Sequence, residues 1–304
     1  LSTVRTICFM GCMVALGHVA VPSLFGESPD AVEMADFEVS DPSDRSDRPD
    51  PLRWGQQRYA PVERALDVPL PRTVRKGYLQ FVIGHRNRTP VDEDTFHNFF
   101  GFDGGNLKIG LGLYYGLLDN WDVGVYRLNG TVEKFDTWQF STKWQALSET
   151  NRWVDFAVLG GASLYTISGE EEDWGGFVSP LFGRSLDERL YASVGALYHS
   201  NSSALDKTAA DEDDSTAVLG SLTARISPRV MLVGEFSTPV AGYQARSTAW
   251  AGGIKFVTWG HSFSFLAGNT QSISLDGLAA GTALRGDDVV LGFVITRDFK
   301  LMGR

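Results

Sequence analysis

Three sets of residues in this sequence could carry chemistry. Asp92, Glu93, Asp94, His97 and Asp103 share one polar stretch, and oxygen ligands at that density suit a calcium-like cation. The stretch lacks the Asp-rich frame with its central Gly and closing Glu that calcium loops use. A solvated acidic loop is the simpler account there, as it is for Glu170 to Asp173 and Asp211 to Asp214. The second set is His199 with Ser200, Ser202 and Ser203, the residue types of a hydrolase. Catalysis needs a base aimed at the hydroxyl and oriented by a third group, and adjacent residues on a strand point opposite ways. No catalytic residue, metal ligand or cofactor is assigned, and the expectation is that the protein is not an enzyme. The third set is Arg86, Lys108, Asp122, Lys143, Asp155, Arg225, Glu235 and Lys255, charges embedded singly in apolar or small-residue runs.

The elements around that third set decide its meaning. From Lys76 to Phe299 the apolar residues recur with period two. Leu107, Ile109, Leu111, Leu113 and Tyr115 form one face, and Lys108, Gly110, Gly112 and Tyr114 the other. Near the end, Val289, Leu291, Phe293 and Ile295 oppose Asp288, Gly292, Thr296 and Asp298. Alternation of this kind marks strands with one apolar face. About twelve strands follow, over 76–87, 105–116, 121–130, 131–146, 152–167, 174–184, 189–200, 216–226, 229–238, 247–258, 261–270 and 287–299. The run from Phe256 to Leu275 is long enough for a membrane helix, but His261, Ser262, Ser264, Asn269 and Ser272 interrupt it.

The connections alternate in length. Leu117 to Asn120, Leu147 to Asn151, Ser185 to Glu188, Ser227-Pro228 and Trp259-Gly260 are short turns. Most of the others are longer and polar, with Asn129-Gly130 a short exception. Short turns on one side and long loops on the other are the pattern of an outer-membrane barrel. Tyr115, Trp121, Trp144, Trp153 and Trp259 fall at the turn ends, and Trp174, Tyr198 and Trp250 near the loop ends, where half-wet aromatic girdles belong. A soluble sandwich or lipocalin-like barrel shares the alternation and leaves the loop asymmetry unexplained. The fold expected is therefore an all-β transmembrane antiparallel barrel, residues 76–304. By parity the third charge set faces its lumen. The mixed signs suit ion pairs across a narrow interior better than a ring of one sign that would select ions.

Ahead of the barrel, Arg5 and the apolar run from Ile7 to about Val21 read as a signal peptide over 1–26, with Leu1 a start codon read literally. A competing reading takes Cys12 as a lipidated N-terminus. Cys8 and Cys12 are the only cysteines, so a cleaved mature protein would have none. Residues 27–75 are rich in Pro, Asp and Arg and are expected to be a disordered periplasmic arm. The alternative for that arm is a plug or partner-binding element, with Trp54 and Tyr59 as anchors. A mean hydropathy of -0.10 is compatible with a barrel whose two faces average out. The net charge of -10 argues against a nucleic-acid partner.

Several segments resemble a known family. Ile83-Gly84-His85-Arg86, Phe99-Phe100-Gly101-Phe102-Asp103 and Ile109 through Leu117 resemble the opening of the family called domain of unknown function 5777. Tyr198-His199-Ser200-Asn201, Gly260-His261-Ser262-Phe263 and Leu291 through Phe299 resemble its later segments and its ending. The resemblance implies an outer-membrane-type β-barrel and no particular activity. The functions in view are a passive channel or small-solute-binding barrel, a non-conducting scaffold acting through loops or arm, and, third, a lipid-directed hydrolase. Expected partners are outer-membrane lipid, the barrel-assembly machinery and a small solute.

Overall fold

The computed structural model describes residues 63–91, 107–129, 136–166, 172–202, 214–245, 247–258 and 260–301. The expected signal peptide over 1–26, Trp54, Tyr59, Trp259, the acidic group from Asp92 to Asp103 and most of the two acidic runs lie outside those residues. Twelve strands follow one another along the chain. They are β1 Tyr78–Asn87, β2 Leu107–Leu118, β3 Trp121–Leu128, β4 Asp136–Leu147, β5 Asp155–Thr166 and β6 Asp173–Ser185, then β7 Leu190–His199, β8 Ser215–Ser227, β9 Val230–Gly242, β10 Ala249–Thr258, β11 His261–Gly268 and β12 Val290–Lys300. Each pairs antiparallel with its chain neighbours, and β1 also pairs with β12, Tyr78 against Lys300 through Arg86 against Gly292. The sheet is closed, so no strand edge is left unpaired.

Alternation places the residues as the pleat requires. On β2, Ile109, Leu111 and Leu113 are exposed on the outer wall while Gly110, Gly112 and Gly116 are buried inside. The outer wall continues with Phe140, Val178, Phe182, Val194, Leu222, Leu232, Phe236, Ile254, Phe256 and Phe265. A continuous apolar belt on the outside of a closed sheet is a surface for lipid. Trp121, Trp144 and Trp153 are exposed at the end where strands join by tight turns, and Trp174, Tyr198 and Trp250 at the other end. Register shifts at Gly116/Leu118, Gln145/Leu147 and Arg225/Ser227 lie at the turn end, the usual place for bulges.

The connections correct part of the expected pattern. Residues 130–135 lie outside the described residues, and with them the expected start of the fourth strand at 131 and part of the short exception at Asn129-Gly130. The fourth spans 148–154 and is longer than the tight turn expected. Its extra length folds onto β5: the amide of Glu149 donates to Asp155 Oδ1 at 2.6 Å. The eleventh, read as a polar loop, contains the short helix α1, Leu275–Ala280, which turns inward and buries Asp276, Leu278, Ala279 and Ala280.

The larger correction concerns the arm. The stretch expected to be disordered as far as Arg75 is ordered from Glu63, and Ala65, Leu66, Asp67, Val68 and Leu70 are buried within the barrel. Only residues 27–62 of the arm remain outside the described residues. Arg64 bridges to Pro69, the amide of Ala65 donates to Val68 O at 2.9 Å, and that of Leu70 to Glu63 O at 2.8 Å. This is a hairpin with its tip at Leu66 and Asp67. Its second arm runs to the turn end, where Lys76 bridges to Gly116 and β1 begins. The core of the molecule thus sits in the lumen. One apolar cluster joins Ala65, Leu66 and Leu70 to Val82, Tyr126 and Val294 of the wall and to Ile273. A second joins Val68 to Leu159, Leu181, Leu197 and Leu219 of the wall and to Leu278 and Ala279 of α1.

Candidate functional site: a hairpin held in the lumen

A hairpin standing alone in a lumen has main-chain groups that no neighbouring strand can pair, and buried main-chain groups must be paired. The wall meets this need with charged side chains. Glu235 on β9 accepts the amides of Leu66 at 2.8 Å, Asp67 at 3.0 Å and Val68 at 3.1 Å. Lys255 on β10 donates to the carbonyls of Ala65 at 2.5 Å and Arg64 at 3.1 Å. Lys143 on β4 donates to those of Leu70 at 3.2 Å and Glu63 at 3.4 Å. Asp122 on β3 accepts the amide of Val74 at 2.8 Å and lies 3.9 Å from Lys143.

Side chains of the hairpin complete the set. Asp67 forms a fully enclosed ion pair with Arg86 of β1. The space for that arginine comes from Gly292, where a Cβ would stand 2.3 Å from its Nη1. Arg72 donates to Asp155 of β5 at 2.9 Å, beside Glu149 at 3.6 Å and Tyr191, whose hydroxyl donates to the same carboxylate at 3.1 Å. Burial opposes the Arg72 charge, but Asp155 and Tyr191 outweigh it and the guanidinium is held above its ordinary range. The Gln80 amide donates to Glu63 at 2.7 Å and to Asp298 at 2.8 Å. Burial, with Asp298 close by, pushes the Glu63 carboxyl up to about 8.

Of the residues that parity directs inward, Arg86, Asp122, Lys143, Asp155, Glu235 and Lys255 therefore converge on one object, the hairpin. Arg225 is buried near the turn end, lining a small cavity with Tyr191, Thr223 and Met231. Lys108 is half-buried at the loop end, opposite Arg86 in register, and none of the hairpin bonds above involves it. Sequence reasoning missed Glu63, Arg64, Asp67, Arg72 and Gln80. The available signal was the alternation of Leu66, Val68 and Leu70 within a polar stretch.

On the other side of the lumen, α1 is pinned by Gln139 of β4, which donates to Asp276 at 3.2 Å and accepts the amide of Leu275 at 3.2 Å. Between hairpin and α1 a cavity of about 50 Å³ remains, lined by Arg64, Asp67, Tyr114, Tyr126, Lys143 and Leu278 among others. That is room for a few water molecules.

The residues matched by a family model decide where this architecture belongs. The model described as a membrane bound beta barrel domain (DUF5777) covers residues 64–299, so it takes in the luminal hairpin as well as every strand. The chain belongs to this family. Within it, residues 64–75 are part of the barrel domain rather than a preceding arm. No curated protein matches the chain in sequence. Among solved structures it is similar to the COG4313 outer membrane channel from Pseudomonas putida F1, at 13% identity and a TM-score of 0.49, covering 79% of this chain and 100% of that one. It is also similar to the NanC porin, at 10% identity and 0.45, covering 72% and 98%. A third is the outer membrane phospholipase A from Escherichia coli, at 8% identity and 0.40, covering 74% and 93%. These likenesses describe the barrel fold alone.

The Ser-His set is rearranged in this barrel. His199 does not face the hydroxyls of Ser200 or Ser202, and Ser203 is outside the described residues. Its Nε2 lies 2.9 Å from Ser163 Oγ on β5, and its Nδ1 2.6 Å from the carbonyl of Ser200. Ser200 Oγ accepts the amide of Gly176 at 2.7 Å, and Ser202 Oγ donates to Ser215 at 2.6 Å. Ser163 and His199 are both fully buried, against the Gln139 amide that also reaches Asp276.

Proposed function

We propose that this protein is an outer-membrane channel for small solutes that is shut at rest by residues 63–76, its turn end facing the periplasm. One observation carries the reading: the wall grips the hairpin through hydrogen bonds to main-chain atoms, as a set of replaceable polar contacts. A permanent plug would also need its main-chain groups paired, but neutral polar side chains would suffice for that. Buried ionic groups are weak contributors to stability against apolar substitutes of the same volume, and here they stand where a moving segment would have to be released and recaptured. In this proposal α1 narrows the lumen from the outer side, the surrounding lipid and the assembly machinery are the protein's only standing partners, and no bond-breaking chemistry is involved.

The test is conductance in planar bilayers. Full-length protein should stay closed for most of the record, and deletion of residues 63–73 should give long-lived openings. A second reading, a non-conducting scaffold, is favoured by the two apolar clusters that fill the lumen from both sides. It requires that the deletion, and a further replacement of α1 by a Gly-Ser linker, both leave the bilayer silent.

A further inference from the structure

Arg64 is held unlike the rest of the hairpin. Its guanidinium carbon lies 5.1 Å from the ring centre of Tyr114 and 5.6 Å from that of Tyr126, and Nη2 donates to the Tyr114 hydroxyl at 2.7 Å. Its Nε is buried without an acceptor. No ion pair links it to a carboxylate among the described residues. Two aromatic faces and one phenol therefore hold a cation that the neighbouring hairpin residues do not neutralise directly.

The receptor for that cation belongs to the wall. A Cβ on Gly110 would stand 1.8 Å from the Tyr126 hydroxyl oxygen, and one on Gly124 2.1 Å from Tyr114 Cδ1. On Gly112 it would meet both rings at 2.8 Å. The strands β2 and β3 thus give up side chains at three positions so that both rings can lie against the sheet, leaving their other faces to the lumen. The cavity beside them, lined by Asp67 and Asp122 together with Lys143, adjoins both rings and has space for a few water molecules that an incoming group could displace. A planar, weakly hydrated guanidinium stacks on such rings better than a compact ammonium.

We infer that Tyr114 and Tyr126 form a binding site for an alkylguanidinium solute, which Arg64 of the hairpin fills as an internal stand-in while the barrel is closed. The inference deepens the closed-channel reading and rests on it for its meaning: the solute that competes with Arg64 is the one that favours release of the hairpin.

The probe is butylguanidinium, with butylurea as the uncharged analogue, and binding is followed by saturation-transfer NMR on full-length protein in detergent. Arg64→Ala and the milder Arg64→Gln vacate the site, and heat-modifiable migration checks that each is folded. Either variant should bind butylguanidinium roughly tenfold more tightly than wild type, the scale of a desolvated cation–aromatic contact. Butylurea should not bind, and Tyr126→Leu in the same background should remove the gain. In wild type, where no variant is needed, butylguanidinium and not butylurea should speed hydrogen exchange at the amides of Leu66 to Val68. Equal binding of the two probes, no gain on vacating Arg64, or exchange that ignores butylguanidinium would overturn the site. Conductance separates this from the channel reading. A hairpin deletion that never conducts overturns the channel while the NMR still decides the site, and one that conducts without probe binding overturns the site alone.

Discussion

The carboxylate of Glu235 accepts the main-chain amide of Leu66 at 2.8 Å, joining the middle of a wall strand to the tip of a segment nearly 170 residues away in sequence; the separation is 169. The same carboxylate takes the next two amides. Hydrogen bonds to a charged group contribute about 1.5–3 kcal/mol each and leave an unsatisfied donor when broken. Glu235→Leu should therefore loosen the hairpin tip by about 3 kcal/mol or more. Limited trypsin digestion in detergent reads this directly: cleavage at Arg72, Arg75 and Lys76 should accelerate in the variant while the barrel strands stay intact. Unchanged cleavage would mean that the apolar clusters alone retain the hairpin.

The raised carboxyl of Glu63 makes hairpin docking depend on pH. Burial is the main cause and Asp298 adds to it, against the Gln80 hydrogen bond and the attraction of Lys143. Docked, the group keeps its proton to about 8; released into water it would lose it near 4.5. A docked pKa above the released one means that docking is favoured fully below 4.5 and loses that contribution as pH rises through about 8. Trypsin sensitivity, or open probability in bilayers, should thus rise from about pH 5 to about pH 8 and level off above it. Glu63→Gln should flatten the profile at its low-pH value. A wild-type profile already flat across that interval would remove Glu63 from the account.

What was legible in the sequence, and what was not, divides by range of interaction. The strand period is local, so β2 and β12 could be read from Leu107 to Tyr115 and from Val289 to Phe299 alone. Parity then directs Lys143, Glu235 and Lys255 inward without saying what they meet. Their partner is invisible locally because Leu66, Val68 and Leu70 sit among Pro, Asp and Arg, a composition that cannot bury itself and becomes ordered only when a closed wall surrounds it. The helix α1 hid for a similar reason. Six residues are too few for an independent helix, although Leu275, Leu278 and Ala279 have helical spacing. Proximity in the chain pairs His199 with the serines that follow it, whereas the sheet brings it Ser163 from two strands away.

The outer belt gives a test of the faces. Leu111 is 41% exposed on the wall, and Lys108 faces the lumen on the same strand. An arginine at mid-membrane on the lipid side costs roughly 2–4 kcal/mol, less toward the interfaces. Leu111→Arg should weaken folding into bilayers by about that much. Lys108→Gln, half-buried at the loop end, should cost less. Reversible unfolding of both in one lipid is the measurement, and a larger loss from Lys108→Gln would reverse the faces.

The enclosed pair of Arg86 and Asp67 separates what holds the hairpin from what positions it. Both side chains are almost wholly shielded, 0% and 2% exposed. Removing one partner strands the other charge, which costs about 3–5 kcal/mol in buried pairs, while replacing both by apolar groups is often neutral. Arg86→Met and Asp67→Leu should each destabilise the docked hairpin strongly, and the double variant should recover most of the loss. The recovered protein is the informative one. If the pair serves retention alone, the double variant closes as tightly as wild type in bilayers. If the hairpin must leave and return, as in the proposed channel, an apolar tip should re-enter the lumen with less directional guidance. Long openings with slow reclosure, at near-normal equilibrium stability, are the expected record. Wild-type gating in a double variant of wild-type stability would show that the ion pair has no part in the motion.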